Sequence, residues 1–319
     1  MSIKKLVTSI TSAALLTMLP FTAAAEERIV LKSAKSTSSY YVMMVQLSEI
    51  LKNSGEFSPT VEESQGSVQN VMESRVRPGN FLFTTPPSLL SLAAQGKGPF
   101  KDVEPFENSR TLFPMPFVTI HFVARADSGI ESLSDLKGKT IIGGGTGTFC
   151  ESRTKAILKA LGMTDDITLV EVELNATNAA IRNGKVDGFT TCSSHPSPSV
   201  VELASGTDLT IIPMTDAERA TIIDLDPLSG PISIAKGTYA GMTADVNTVG
   251  VPVGAYGTTN MSDDAAYLIT KTFWEAKDNL AGAQAWWNGV SPELVGLLGA
   301  SVHPGAAKYY KEAGINISE

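Results

Sequence analysis

Short apolar runs that end in a corner of serine, threonine and glycine, each opening onto a helical pattern, recur along this chain. That repeat restricts the fold more than any other feature, because alternating strands and helices pack as a parallel sheet with helices on both faces. Ile29-Val30-Leu31 leads into Ser33-Ala34-Lys35-Ser36-Thr37-Ser38-Ser39, after which Val42, Val45, Leu47, Ile50 and Leu51 fall at helical spacing. Thr60-Val61-Glu62 leads into Glu63-Ser64-Gln65-Gly66-Ser67, followed by Val68, Val71 and Met72 at the same spacing and by a buried strand, Asn80-Phe81-Leu82-Phe83.

A second run begins after the apolar stretch Val118 to Val123. Ser132 to Gly138 reads as one short capped helix, and the strand from Thr140 reaches the corner Gly143-Gly144-Gly145-Thr146-Gly147-Thr148-Phe149-Cys150-Glu151, which opens a helix. Strand Thr168 to Glu173, a helix around Asn178 to Asn183, strand Gly188 to Thr191, helix Ser199 to Ala204 and strand Leu209 to Ile212 follow. Val249 to Val253 is apolar again, and the C-terminal third is helical at Ala265 to Asn279, Glu293 to Leu298 and Ala306 to Ala313. No low-complexity linker separates the two runs, so the chain is expected to cross between two α/β lobes through strands.

Lys4 and Lys5 precede an apolar stretch from Leu6 to Phe21 that closes on Ala23-Ala24-Ala25. This is the pattern of a cleaved secretory signal peptide over residues 1–25, with a mature protein starting at Glu26 in the periplasm. Loss of two lysines with that peptide takes the formal net charge from −8 to −10, and an acidic surface does not invite nucleic acid. With 43% apolar residues, the remaining 294 can build two sizeable cores.

Several blocks then resemble the TAXI family of solute-binding proteins, which serve tripartite ATP-independent periplasmic (TRAP) transporters. They are Ser38-Ser39-Tyr40-Tyr41, Gly66-Ser67-Val68-Gln69-Asn70, the segment from Val123 through Leu136-Lys137-Gly138-Lys139, the Gly/Thr corner, Gly237-Thr238-Tyr239, and the ending His303-Pro304-Gly305-Ala306-Ala307-Lys308-Tyr309-Tyr310 with Glu312 and Gly314. The chain departs from the family at Thr84-Thr85-Pro86-Pro87, where relatives usually carry an acidic or polar pair. It also departs at Cys150 and Cys192, where they more often carry threonine or an apolar residue.

The resemblance implies an α/β, two-lobed periplasmic-binding-protein fold of type II character, with two doubly wound sheets joined by crossing hinge strands. Lobe I would comprise residues 26–122 and 252–319, and lobe II residues 123–251. It implies a monomer that binds a solute such as glutamate, 2-oxoglutarate or a related dicarboxylate and delivers it to TRAP permease membrane subunits. An exported sensor domain that docks on a signalling receptor shares the same sequence features and differs only in its partner.

Ligands of open α/β sheets bind beyond the carboxyl ends of the strands. The three corners there, Ser36 to Ser39, Gly66-Ser67 and Gly145 to Thr148, combine hydroxyls, free backbone N–H groups and helix dipoles, each dipole worth about 0.3 to 1 kcal/mol toward an anion. The competing role for each corner is helix capping, for which serine and threonine are the preferred residues. Candidate ligand-binding residues are Ser38, Ser39, Tyr40, Gly66, Ser67, Asn70, Thr84, Thr146, Gly147, Thr148, Cys150, Glu151, Thr191 and His195, with Arg110 and Arg153 as charged side chains within possible reach of the cleft. The corner at 143–151 fits neither GxxxxGK[ST] nor GxGxxG with its acidic residue, so a nucleotide is not expected there, nor any other cofactor.

Cys150 and Cys192 are the only cysteines. They follow strands that are neighbours in a doubly wound order, and a disulfide between them is expected in an exported protein, the alternative being two unpaired, partly buried thiols. With His195 they fall short of a tetrahedral metal site. A hydrolase would need Cys150 as nucleophile and His195 as base, and nothing else in the chain supports one.

Overall fold

The computed structural model describes residues 26–317, so the signal peptide expected at 1–25 lies outside the described residues. The elements in chain order are β1 (Glu27–Lys32), α1 (Ser39–Asn53), β2 (Phe57–Glu62), α2 (Ser67–Ser74), β3 (Phe81–Thr85) and α3 (Pro87–Ala94), then the long strand β4 (Ser109–Arg125). They continue with β5 (Thr140–Ile142), α4 (Phe149–Ala160), β6 (Thr168–Val170), α5 (Thr177–Arg182), β7 (Gly188–Ser193), α6 (Pro198–Ala204), β8 (Leu209–Ile212), α7 (Asp216–Asp224) and β9 (Gly230–Ile234). A second long strand, β10 (Val246–Thr258), precedes α8 (Asp263–Ala283) and α9 (Pro304–Glu312).

Strand order is β2-β1-β3-β10-β4-β7-β5-β6, with β8 added to β4 and β9 to β10. One lobe is built on parallel β1, β2 and β3, the other on parallel β5, β6 and β7. Between them β4 and β10 run antiparallel through both lobes, so the two sheets join into one continuous ten-stranded hydrogen-bonded network.

Both crossing strands are longer than the apolar runs suggested, 17 residues for β4 and 13 for β10. Pro114 and Pro116 mask the first half of β4, since proline cannot donate to a ladder and argues against a central strand. The ladder accommodates them beside a register shift between Val251 and Val253, with Pro114 facing Gly254. The stretches 133–136 and 292–297 are 3₁₀ turns rather than α-helices, and the strand expected to reach Glu173 ends at Val170.

Local chemistry sets the helix starts. Ser38 accepts from the Tyr41 N–H (3.2 Å), Thr148 from Glu151 (3.1 Å) and Ser262 from Ala265 (3.1 Å), each satisfying a first-turn donor. Helix α1 buries Met43, Met44, Leu47 and Leu51 on one side. The C-terminal helices close the first lobe over Phe113, stacked on Phe273 at 3.9 Å between ring centroids, and over Trp287, which is fully buried and donates from Nε1 to Gln46 (2.9 Å).

Candidate functional site

The corners after β1, β2, β5 and β7 converge between the lobes on a cavity of about 60 Å³. Ser38, Ser39, Tyr40, Gly66 and Ser67 line it from one lobe; Thr148, Cys150 and Thr191 line it from the other. Among the described residues, no acidic, basic or histidine side chain borders it. The wall also includes Thr37, Gln65, Phe149, Leu174, Cys192, Ser193 and Ser199, none of them among the ligand-binding candidates read from the sequence. Thr37 had a legible signal, since it lies inside the polar corner Ser36 to Ser39. Gln65 and Phe149 fall within the quoted corners, but neither residue type marks an anion site.

Helix α2 presents the barest donors. Its cap is Gly66, at φ 123°, with no side-chain hydrogen bond, and the first intrahelical bond runs from Asn70 N–H to Gly66 O. The N–H groups of Ser67, which lines the cavity, and of Val68 next to it have no acceptor among the described residues. Asn70 does not line the cavity. Its Nδ2 donates to the carbonyls of Ser33 (2.9 Å) and Thr84 (3.3 Å), and its Oδ1 accepts from Ser64 (2.7 Å), so it ties the ends of β1 and β3 to the α2 corner. Thr84 is fully buried in β3, outside the cavity wall. Lys32, at the end of β1, is buried between Glu62 (3.3 Å) and Glu73 (3.1 Å), a pairing that anchors α2 from below.

The glycine corner divides its residues between two sides. Thr148 faces the cavity, but its hydroxyl is taken up by the turn, donating to the Gly144 and Gly145 carbonyls (2.9 and 2.8 Å) and capping α4. Thr146 bonds Val172 and, with Glu151 and Lys155, borders a separate 200 Å³ pocket on the far side. Glu151 turns back to the Gly147 N–H (2.6 Å) and pairs with Lys155 (2.6 Å). What the corner leaves toward the cavity are the N–H groups of Phe149 and Cys150.

Cys150 and Cys192 are joined, their Cα atoms 5.4 Å apart, so α4 is bolted to β7 in the cavity wall. Gly144 permits this closeness: it sits at φ 109°, and a Cβ there would lie 2.6 Å from that of Cys150. A bonded Cys150 has no thiolate to offer, which removes the nucleophile a hydrolase would need.

The lobes touch directly at this cavity through the Ser194 N–H, which donates to Ser39 Oγ (3.1 Å). Among the described residues Ser193 Oγ is buried with no partner, and Gln65 Oε1 is likewise unpaired. Burial pushes the Tyr40 phenol well up, partly offset by the Ser67 hydroxyl, so it stays neutral. His195 stands outside the wall, sharing a hydrogen bond with Thr119 Oγ1 (2.7 Å), and burial lowers its pKa.

On the other side of Phe149 opens a groove of about 970 Å³, also between the lobes. Arg110 and Arg153 line this groove, not the small cavity. Arg153 is buried against Asp226 (3.5 Å) and donates to Ser229 (2.9 Å).

This architecture has clear parallels. The periplasmic binding protein BugD superposes with a TM-score of 0.58 at 11% identity, over 92% of this chain and 99% of its own. A periplasmic transporter of solved structure gives 0.53 at 11% identity, over 91% and 93% of the two chains, and a protein from Bordetella bronchiseptica RB50 gives 0.50 at 15%, over 91% and 90%. At such identities the likeness is one of fold, and that fold is the two-lobed α/β fold of periplasmic binding proteins. Residues 31–314 match the NMT1-like family. The chain belongs to that family.

Proposed function

We propose that this protein is an extracytoplasmic solute-binding protein that holds a small organic anion between its lobes and hands it to a membrane permease. One observation carries the reading: among the described residues, the interlobe cavity is walled by neutral donors, with unpaired N–H groups at the starts of α2 and α4 and no carboxylate to repel a negative charge. Helix starts and hydroxyls suffice for an anion, so no arginine is needed inside an acidic protein. The ligand groups we assign are Ser67, Thr191, Ser193 and the N–H groups at 67, 68, 149 and 150, with Ser38, Ser39 and Tyr40 completing the wall.

The resemblance to the TAXI family supports a TRAP permease as partner and glutamate, 2-oxoglutarate or a related dicarboxylate as solute. We take the lobes to divide at 26–122 with 252–319, and 123–251, the crossing lying in β4 and β10. The disulfide favours an oxidising compartment and therefore export. Identification of the ligand retained by protein purified without denaturation, followed by calorimetry, tests the reading. A hydrogen bond to a charged acceptor contributes about 1.5 to 3 kcal/mol, so Ser67→Ala or Thr191→Val should weaken binding about 10- to 100-fold with the fold intact. A neutral or cationic ligand, or unchanged affinity in both variants, would overturn it.

A further inference from the structure

Phe149 borders both the 60 Å³ polar cavity and the 970 Å³ groove, and it stands between them. It belongs to α4 of the second lobe, yet its ring packs on the cluster of Val71, Phe81, Phe83 and Leu89 that forms part of the first lobe's core. Its backbone is held from both sides, by the Thr148 cap and by the disulfide at Cys150. A side chain fixed in this way cannot swing aside without breaking contacts across the cleft. Beyond it the groove offers apolar walls, with Leu90 and Phe106 from one lobe and Leu225 and Leu228 from the other.

We infer that Phe149 is a length filter: it caps the anion cavity and sets the longest carbon chain the protein accepts. The inference rests on the anion reading above and goes beyond it by naming what decides solute size. A carboxylate anchored at the α2 and α4 starts directs its chain either into the remaining cavity or against this ring. Once the cavity is full, each further methylene meets Phe149. With the ring removed, the same methylene enters the groove and is buried against leucine and phenylalanine, a gain of about fourfold in affinity per methylene.

The test is calorimetry of the full-length mature protein and of Phe149→Ala with straight-chain monocarboxylates of two to eight carbons and, in parallel, α,ω-dicarboxylates of the same lengths. In the wild type, affinity is expected to fall at least 10-fold once a limiting length is passed. In Phe149→Ala, which keeps the backbone N–H, the affinity of the long acids relative to the short ones should rise at least 10-fold over the wild type. Phe149→Leu, which keeps a smaller apolar body, should shift the limit by less, and it preserves the test if the alanine variant does not fold. A uniform loss at every length would overturn the filter and leave Phe149 as a latch between lobes. An unchanged length profile would overturn it too, with the anion reading intact. Failure of every acid to bind the wild type would overturn both.

Discussion

Lowering the pH from 7.5 to 4.5 should cost this protein about 2 to 3 kcal/mol of stability through His121 alone. His121 sits on the crossing strand β4, fully buried, opposite Thr191 of the cavity wall. Its Nδ1–H donates to the Thr119 carbonyl (2.9 Å), and its Nε2 accepts from the Tyr239 hydroxyl (2.8 Å), whose oxygen in turn accepts from the Ser197 N–H (2.8 Å). That chain suits a neutral imidazole. Burial, with a smaller contribution from His195, drops its pKa from 6.5 to about 4. Between those two values the unfolded chain binds the proton and the folded chain does not. The stabilisation is therefore complete above pH 6.5 and is lost as the pH falls toward 4. Urea unfolding at pH steps from 7.5 to 4.5, on the wild type and on His121→Gln, isolates the group, because His195, His303 and the carboxylates are common to both. The variant should start less stable and lose about 2 to 3 kcal/mol less over the range. Parallel pH profiles, or an NMR titration of His121 centred near 6.5, would refute the reasoning. Ligand affinity of the folded protein should hold over the same interval, because His121 stays neutral there until the pH nears 4.

Two further outcomes follow from the geometry. Replacing both cysteines by alanine opens a loop closed over a separation of 42 residues and should cost about 4 kcal/mol in the chain-entropy account, measured by urea unfolding; a loss below about 1 kcal/mol would show that the bond constrains little. Asn70→Ala removes the donor to the Ser33 and Thr84 carbonyls and the acceptor for the Ser64 hydroxyl, so unfolding should be easier by about 1 to 3 kcal/mol, and an unaltered midpoint would contradict the role assigned to that side chain.

Much of this molecule was readable along the chain because its cues are local. An apolar run, a polar corner and a 3.6-residue period name β1-α1, β2-α2 and β5-α4 without any knowledge of their partners. The cysteine pair was legible for a related reason: the alternation implies the strand order, and strand order makes Cys150 and Cys192 neighbours. Where local and tertiary cues conflict, as at Pro114 and Pro116, the local cue misleads. The bulged pairing that admits those prolines is contributed by β10, more than a hundred residues away.

The candidate site divides along the same line. Sequence alone determined that three helix starts rich in hydroxyls and glycine would lie at one edge of the sheets, since that follows from the order of elements. It could not decide which donors remain free. In the run Thr146-Gly147-Thr148, glycines at positive φ on either side of Thr146 turn successive residues to opposite faces, sending Thr146 toward one pocket and Thr148 toward another. Nor could it decide that Arg110 and Arg153 would stand beyond Phe149 rather than in the polar cavity, or that Ser194 would bond Ser39 across the cleft. Those outcomes depend on how two lobes meet, and contact between residues distant in sequence is set by tertiary packing, which no local period records.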